Sequence, residues 1–137
     1  MIGGNASKVS MPDDILVLLV EDEVMIRDFV QTSLEDAGMS VVTADHGGDA
    51  IGMLDHKHPS VRVLVTDVRL GAGPDGWAVA RYARKLRPEL PIVYVSGHSA
   101  ADWPAEGVPK SVFVQKPFGG AQVVASVQKA IAQAGKA

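Results

Sequence analysis

Three acidic side chains, one hydroxyl and one lysine stand where short apolar runs end: Glu21-Asp22, Asp67, Ser96 and Lys116. Ile15-Leu16-Val17-Leu18-Leu19-Val20 leads into Glu21-Asp22-Glu23, and Val61-Arg62-Val63-Leu64-Val65-Thr66 leads into Asp67. Pro91-Ile92-Val93-Tyr94-Val95 leads into Ser96, and Ser111-Val112-Phe113-Val114-Gln115 into Lys116. Short runs rich in Val and Ile read as strands buried on both faces of a parallel sheet. Ligands of such sheets bind beyond the carboxyl ends of the strands, where helix N-termini also converge. Carboxylates gathered there repel and raise one another's pKa unless a cation sits among them. One or two carboxylates, a loop carbonyl and water suit octahedral Mg2+, with a phosphate oxygen as a further ligand. Lys116 adds a cation for a phosphate oxygen, Ser96 a donor, and backbone N–H groups after Asp67 can complete the cradle. The chemistry implied is phosphoryl transfer, with Asp67 as the nucleophile that forms an aspartyl-phosphate.

Each residue also has an ordinary structural reading. Glu21-Asp22-Glu23 could merely favour a helix N-terminus, Ser96 could be a turn residue, Asp67 a turn former at a strand end, and Lys116 a solvated lysine. Their coincidence at one edge carries the chemical reading. By contrast His46, His56, His58 and His98 show no ligand spacing with a carboxylate partner and read as surface or loop residues.

Helical patterns separate the strands. Ile26, Phe29, Val30, Leu34 and Ala37 follow the 3.6-residue period over residues 24–37, and Gly38 supplies the stop. Residues 40–44 form a short strand, and a turn at residues 45–48 precedes a helix over about 49–56. The Gly- and Pro-rich loop after Asp67 can wrap a small ligand, and Asp75 is placed to cap a helix carrying Val79, Ala80, Ala83 and Leu86. Its cations Arg81, Arg84, Lys85 and Arg87 read as a solvated face near the helix C-terminus. Gly119-Gly120 opens a last helix with Val123, Val124, Val127 and Ile131 on one face. A β-α unit repeated five times implies a doubly wound, five-stranded parallel sheet in the order 2-1-3-4-5, with right-handed crossovers. The fourth helix is the exception. Pro104, Gly107 and Pro109 interrupt residues 99–109, and a proline inside a helix costs about 3 kcal/mol. A short or irregular segment is expected there, with Trp103 partly covering the sheet edge and phosphorylation ordering the segment.

At 137 residues the chain reads as one domain, able to bury roughly 68–70% of its unfolded surface. Residues 1–12 read as a flexible leader, 13–134 as the folded domain and 135–137 as a tail. Cysteine is absent, which excludes disulfides and thiolate chemistry and fits a reducing cytoplasm. A net charge of −3 argues against a nucleic-acid partner. The longest apolar run, residues 15–20, is six residues and cannot span a bilayer.

Taken together, Val20-Glu21-Asp22-Glu23, Val65-Thr66-Asp67, Asp75-Gly76, Val95-Ser96-Gly97 and Phe113-Val114-Gln115-Lys116-Pro117-Phe118 resemble the receiver domain of two-component response regulators, over about residues 13–134. That resemblance implies a CheY-like, flavodoxin-like fold in which Asp67 accepts phosphate from a histidine kinase or histidine phosphotransfer protein. It implies Mg2+ held by Asp22, Asp67 and the carbonyl of Arg69, with Glu21 acting through water. Ser96 and Lys116 would bind the phosphoryl group, Phe113 would be the aromatic that swings inward when Ser96 moves, and Lys116-Pro117 would be a cis peptide. Two departures stand out: Leu70-Gly71 replaces the family's usual Met-Pro, and Asp75-Gly76 comes one residue later than is commonest, giving a longer and more flexible loop. Arg69 and His98 occupy places that resemble the family's dephosphorylation-tuning positions.

The expected function is a phosphorylation-driven switch acting as a single-domain regulator through a downstream protein target, as a monomer or a phosphorylation-dependent homodimer. It is expected not to be an enzyme beyond self-catalysed phosphoryl transfer and slow autodephosphorylation. A Mg2+-dependent aspartyl-phosphate phosphohydrolase is the first alternative, yet the haloacid-dehalogenase type needs a second Asp where Arg69 stands. A flavodoxin-like FMN module is the second, yet Glu21-Asp22-Glu23 would repel the FMN phosphate.

Overall fold

The computed structural model describes residues 15–135 except His58; the leader at residues 1–12 and the last two residues of the tail lie outside them. Five strands, β1 (Leu16–Val20), β2 (Ser40–Ala44), β3 (Val63–Asp67), β4 (Ile92–Ser96) and β5 (Val112–Gln115), form one sheet. Their order is β2-β1-β3-β4-β5, and every pairing is parallel. The order expected from the β-α repeat is the order found. No helix among the described residues is long and apolar enough to cross a membrane.

The strands are apolar on both sides because both faces are covered. Leu18, Val20, Leu64, Ile92 and Tyr94 face one core, which α2 (Gly47–Lys57) and α3 (Gly76–Leu86) close with Ala50, Leu54, Val79, Ala80 and Ala83. Val17, Leu19, Val63, Val65, Val93 and Val95 face the other core. There α1 (Val24–Asp36) and α5 (Gly120–Ala134) contribute Val30, Leu34, Val123, Val127 and Ala130. The alternation is the period-2 geometry of a strand. Each fully buried Val or Leu contributes about 1.5–3 kcal/mol, well above a cap or a surface ion pair, so the sheet is the rigid frame that carries the site.

Element boundaries shift where tertiary contacts decide them. Helix α2 begins two residues before the expected start, at Gly47, because a bare backbone there lies against the Pro74 carbonyl; a Cβ at this position would stand 2.1 Å from that oxygen. The third strand starts at Val63 instead of Val61, whose N–H turns back to the Lys57 carbonyl at 3.2 Å. The cations of α3 are not the free solvated face expected. Arg84 donates to the carbonyls of Leu90 (2.8 Å) and Pro109 (2.7 Å), Arg87 donates to that of Val61, and Arg81 lies 3.6 Å from Glu106. These side chains fasten α3 to the loops at the amino ends of β3, β4 and β5.

The unit after β4 is short, as expected: a 3-10 turn at Ala100–Asp102 runs into a single helical turn, α4 (Trp103–Glu106). Pro104 falls in the first turn of α4, where its missing N–H has no intrahelical acceptor to lose. Proline therefore starts this turn instead of breaking it. Trp103 lies over the edge strand, its ring 5.7 Å from that of Phe113, and donates from Nε1 to Ser111 Oγ at 2.9 Å. Gly107 leaves the space for the indole, since a Cβ there would meet Trp103 Cδ1 at 2.3 Å.

Candidate functional site

Parallel pairing fixes where each functional residue lands. Val20 pairs with Thr66, and Asp67 with Val95, so the residues that follow β1 and β4 flank the Asp67 carboxylate. A cleft of about 240 Å³ opens there, lined by Asp22, Glu23, Asp67, Arg69, Ser96, Gly97, His98 and Lys116. Glu21, which does not line it, is fully buried behind Asp22 and Asp67, while Asp22 is exposed. Carboxylate oxygens of Glu21, Asp22 and Asp67 come within 4.8 Å of one another.

Lys116 ties the cluster together. Its Nζ donates to Asp67 Oδ2 at 2.9 Å and lies 3.3 Å from Glu21 Oε1 and 3.6 Å from Glu23 Oε1. The Lys116-Pro117 peptide is cis, as the sequence resemblance implied. Asp67 Oδ1 accepts the Arg69 N–H at 3.3 Å, so the loop backbone, not the exposed Arg69 side chain, meets the carboxylate. Gly76 makes that loop possible. Its N–H donates to the Val68 carbonyl at 2.7 Å, and a Cβ would stand 2.0 Å from the Asp67 carbonyl oxygen. In the same loop Leu70 is buried in the core and Gly71 has φ +74°, a left-handed conformation that glycine adopts freely and proline cannot.

Burial sets the electrostatics. The Glu21 carboxyl is pushed up to about 8, first by burial and then by the charge of Asp67, against the opposing pull of Lys116 and the Glu23 N–H. Burial alone would lower the Lys116 pKa, but its hydrogen bond to Asp67 and the charges of Asp67 and Glu21 outweigh it and the net shift is upward. Glu21 Oε2 accepts the Glu23 N–H at 3.2 Å. Glu21 Oε1 is buried and is met only by the Lys116 ammonium 3.3 Å away, an ion pair without a well-formed hydrogen bond. An acidic cluster with one unsatisfied buried oxygen is the kind of donor set that hard divalent cations take.

The structure thus brings together Glu21, Asp22, Asp67, Ser96 and Lys116, with Arg69 and His98 at the rim. Phe113 does not line the cleft; it packs against Trp103 and the core beneath. His46 accepts the Asp49 N–H at 3.4 Å at the start of α2, and its Nε2 lies 3.3 Å from Asp49 Oδ2, so this histidine does have a carboxylate partner, in an exposed pair that caps the helix away from the cleft; His58 lies outside the described residues. Three contributors were not legible in sequence. Arg27 donates to the Glu21 carbonyl at 3.0 Å and to Asp45 at 3.1 Å, holding the acidic turn to β2. Glu23 shares Lys116, and Ser99 accepts a hydrogen bond from Ser96. Only the acidic run itself hinted at Glu23.

Comparison with known proteins agrees with this geometry. The response regulator receiver domain family matches residues 17–128. The DNA-binding transcriptional regulator NtrC of Salmonella typhimurium is 30% identical over 118 residues, which cover 85% of this chain and 24% of NtrC. The chain therefore spans about a quarter of the length of the curated relatives it matches. A response regulator receiver protein from Sinorhizobium medicae has a TM-score of 0.85 and 38% identity, over 89% of this chain and 98% of that one. The receiver domain of NtrX from Brucella abortus gives 0.74 and 30%, over 85% and 98%. With most of its length matched and the sheet order shared, this chain belongs to the response regulator receiver domain family.

Proposed function

We propose that Asp67 is the phosphoacceptor and that the domain switches a downstream protein contact when Asp67 is phosphorylated. The observation that carries this reading is Lys116 Nζ at 2.9 Å from Asp67 Oδ2, within a cluster of carboxylates, two of the three buried, at the carboxyl edge of the sheet. An Asp67 oxygen attacks phosphorus on a phosphohistidine. The O–P bond forms and the P–N bond breaks, and the departing imidazole nitrogen keeps the electron pair and takes a proton from solvent. Lys116 then exchanges the carboxylate for a phosphoryl oxygen, and Ser96 donates its hydroxyl to another. The buried Glu21 Oε1 and the three-carboxylate set fit Mg2+, held by Asp22, Asp67 and the Arg69 carbonyl with Glu21 behind them. When bound, Mg2+ neutralises charge that develops on the transferring group. Arg69 in place of a second acid argues against a phosphohydrolase, and the acidic turn after β1 argues against an FMN phosphate.

The phosphodonor is a histidine kinase or histidine phosphotransfer protein. Beside the cleft, and sharing Gly97, His98 and Lys116 with it, lies an apolar hollow of about 510 Å³ lined by Met25, Ile26, Phe29 and Phe118. Met25 is 85% exposed and Phe29 45%, which suits a surface covered by a partner during transfer. Phosphate-affinity gels test both points. Acetyl phosphate with Mg2+ labels wild type once, whereas EDTA or Asp67→Asn abolishes labelling. Met25→Asp keeps that labelling and slows transfer from a phosphorylated kinase severalfold. A single phosphate on Asp67→Asn would overturn the assignment.

A further inference from the structure

Ser96 is not waiting free in the cleft. Its hydroxyl donates to Ser99 Oγ at 3.1 Å and accepts the His98 N–H at 3.4 Å. Both serines are buried, at 1% and 3% exposure, so water competes poorly for this bond. Ser99 does not line the cleft that Ser96 lines. The Ser99 carbonyl receives the Asp102 N–H at 3.1 Å and opens the 3-10 turn, yet its hydroxyl makes no capping bond. That hydroxyl is committed to Ser96 instead. A serine has one proton to donate. While Ser96 is the donor to Ser99, it cannot also donate to a phosphoryl oxygen on Asp67.

Resting on the assignment of Asp67 as phosphoacceptor, we propose that Ser99 is a positioning residue: its buried Oγ holds the Ser96 proton away from the cleft and sets the threshold for switching. Every switching event must turn the Ser96 proton out of this bond. Breaking it frees the residue from which the 3-10 turn and α4 depart, so the same bond links the phosphoryl site to the segment carrying Trp103.

The test is the affinity of Mg2+–beryllofluoride, a phosphoryl mimic, followed by 19F NMR. Ser99→Ala removes the competing acceptor and tightens binding by roughly three- to tenfold, the range of a typical net hydrogen bond. Ser99→Thr restores the wild-type value, and Ser99→Cys, with a weak acceptor, gives a smaller shift of the same sign. In a Ser96→Ala background Ser99→Ala has no effect, because the interaction it removes is already gone. A mere packing role predicts the opposite: weaker or unchanged binding that persists without the Ser96 hydroxyl. Either of those results overturns the proposal. Failure of the wild type to bind beryllofluoride at all would overturn the phosphoacceptor assignment first, and this inference with it.

Discussion

Two neighbouring β-α units leave the site in contrasting ways. From Asp67 at the end of β3 the chain enters an eleven-residue helix, α3, capped by Asp75, whose carboxylate accepts the Ala78 N–H at 2.9 Å. That helix buries Trp77, Val79, Ala80 and Ala83 and is fastened by Arg84 and Arg87. From Ser96 at the end of β4 the chain enters a 3-10 turn and a four-residue helix with no side-chain cap and no buried residue. What holds this second unit is the Trp103 ring over Phe113, Val108 in the core and a handful of hydrogen bonds. Ser96 bonds Ser99, Trp103 bonds Ser111, and the Val108 N–H bonds the buried Tyr94 hydroxyl at 3.1 Å. The β3 unit therefore fixes the Asp67 carboxylate, and the β4 unit, with less buried surface in its helical turns, is the one that the proposed Ser96–Ser99 switch would change.

The largest expected effect comes from breaking the fixed unit. Gly76→Val places a side chain onto the Asp67 carbonyl and should cost about 3 kcal/mol or more in urea unfolding. A loss below about 1 kcal/mol would mean that the loop relaxes freely and that the β3 unit is not the rigid one.

Next in size is the acidic cluster that both units share. With its folded pKa raised from 4.5 to about 8, Glu21 contributes stability that is full below about pH 4.5 and is lost as pH rises through 8. Metal-free protein should lose stability between pH 5 and 8, and Glu21→Gln should remove that slope. Mg2+ should stabilise the wild type more at pH 8 than at pH 5. Identical slopes in the two proteins would show that Glu21 is not the titrating group.

The smallest effect sharpens the contrast. Trp103→Phe keeps an aromatic ring over Phe113 but loses the bond to Ser111, a net change of about 1 kcal/mol or less. Amide exchange in residues 100–106 should accelerate while that of α3 stays unchanged. Acceleration in both units would show that they open together.

The sequence was most informative where one-dimensional signals coincide with the physics. Strand runs that end on Asp67, Ser96 and Lys116 gave the sheet and the site together, because a parallel sheet leaves no other edge for those ends. Pro104 and Gly107 likewise foretold a short fourth helix. What stayed hidden depends on approach in three dimensions. The start of α2 at Gly47 follows from Pro74 across the loop, and the roles of Arg84 and Arg87 from carbonyls far along the chain. Ser99 carried no signal at all. A serine three residues beyond another is ordinary until both prove buried and bonded.

Residue-resolved amide exchange, with and without Mg2+–beryllofluoride, tests the division of labour most directly. Rates should shift by roughly threefold or more within residues 97–111, where a hydrogen bond is gained or lost, and hold steady through α3. Shifts confined to α3, or none in residues 97–111 although the mimic is bound, would contradict it.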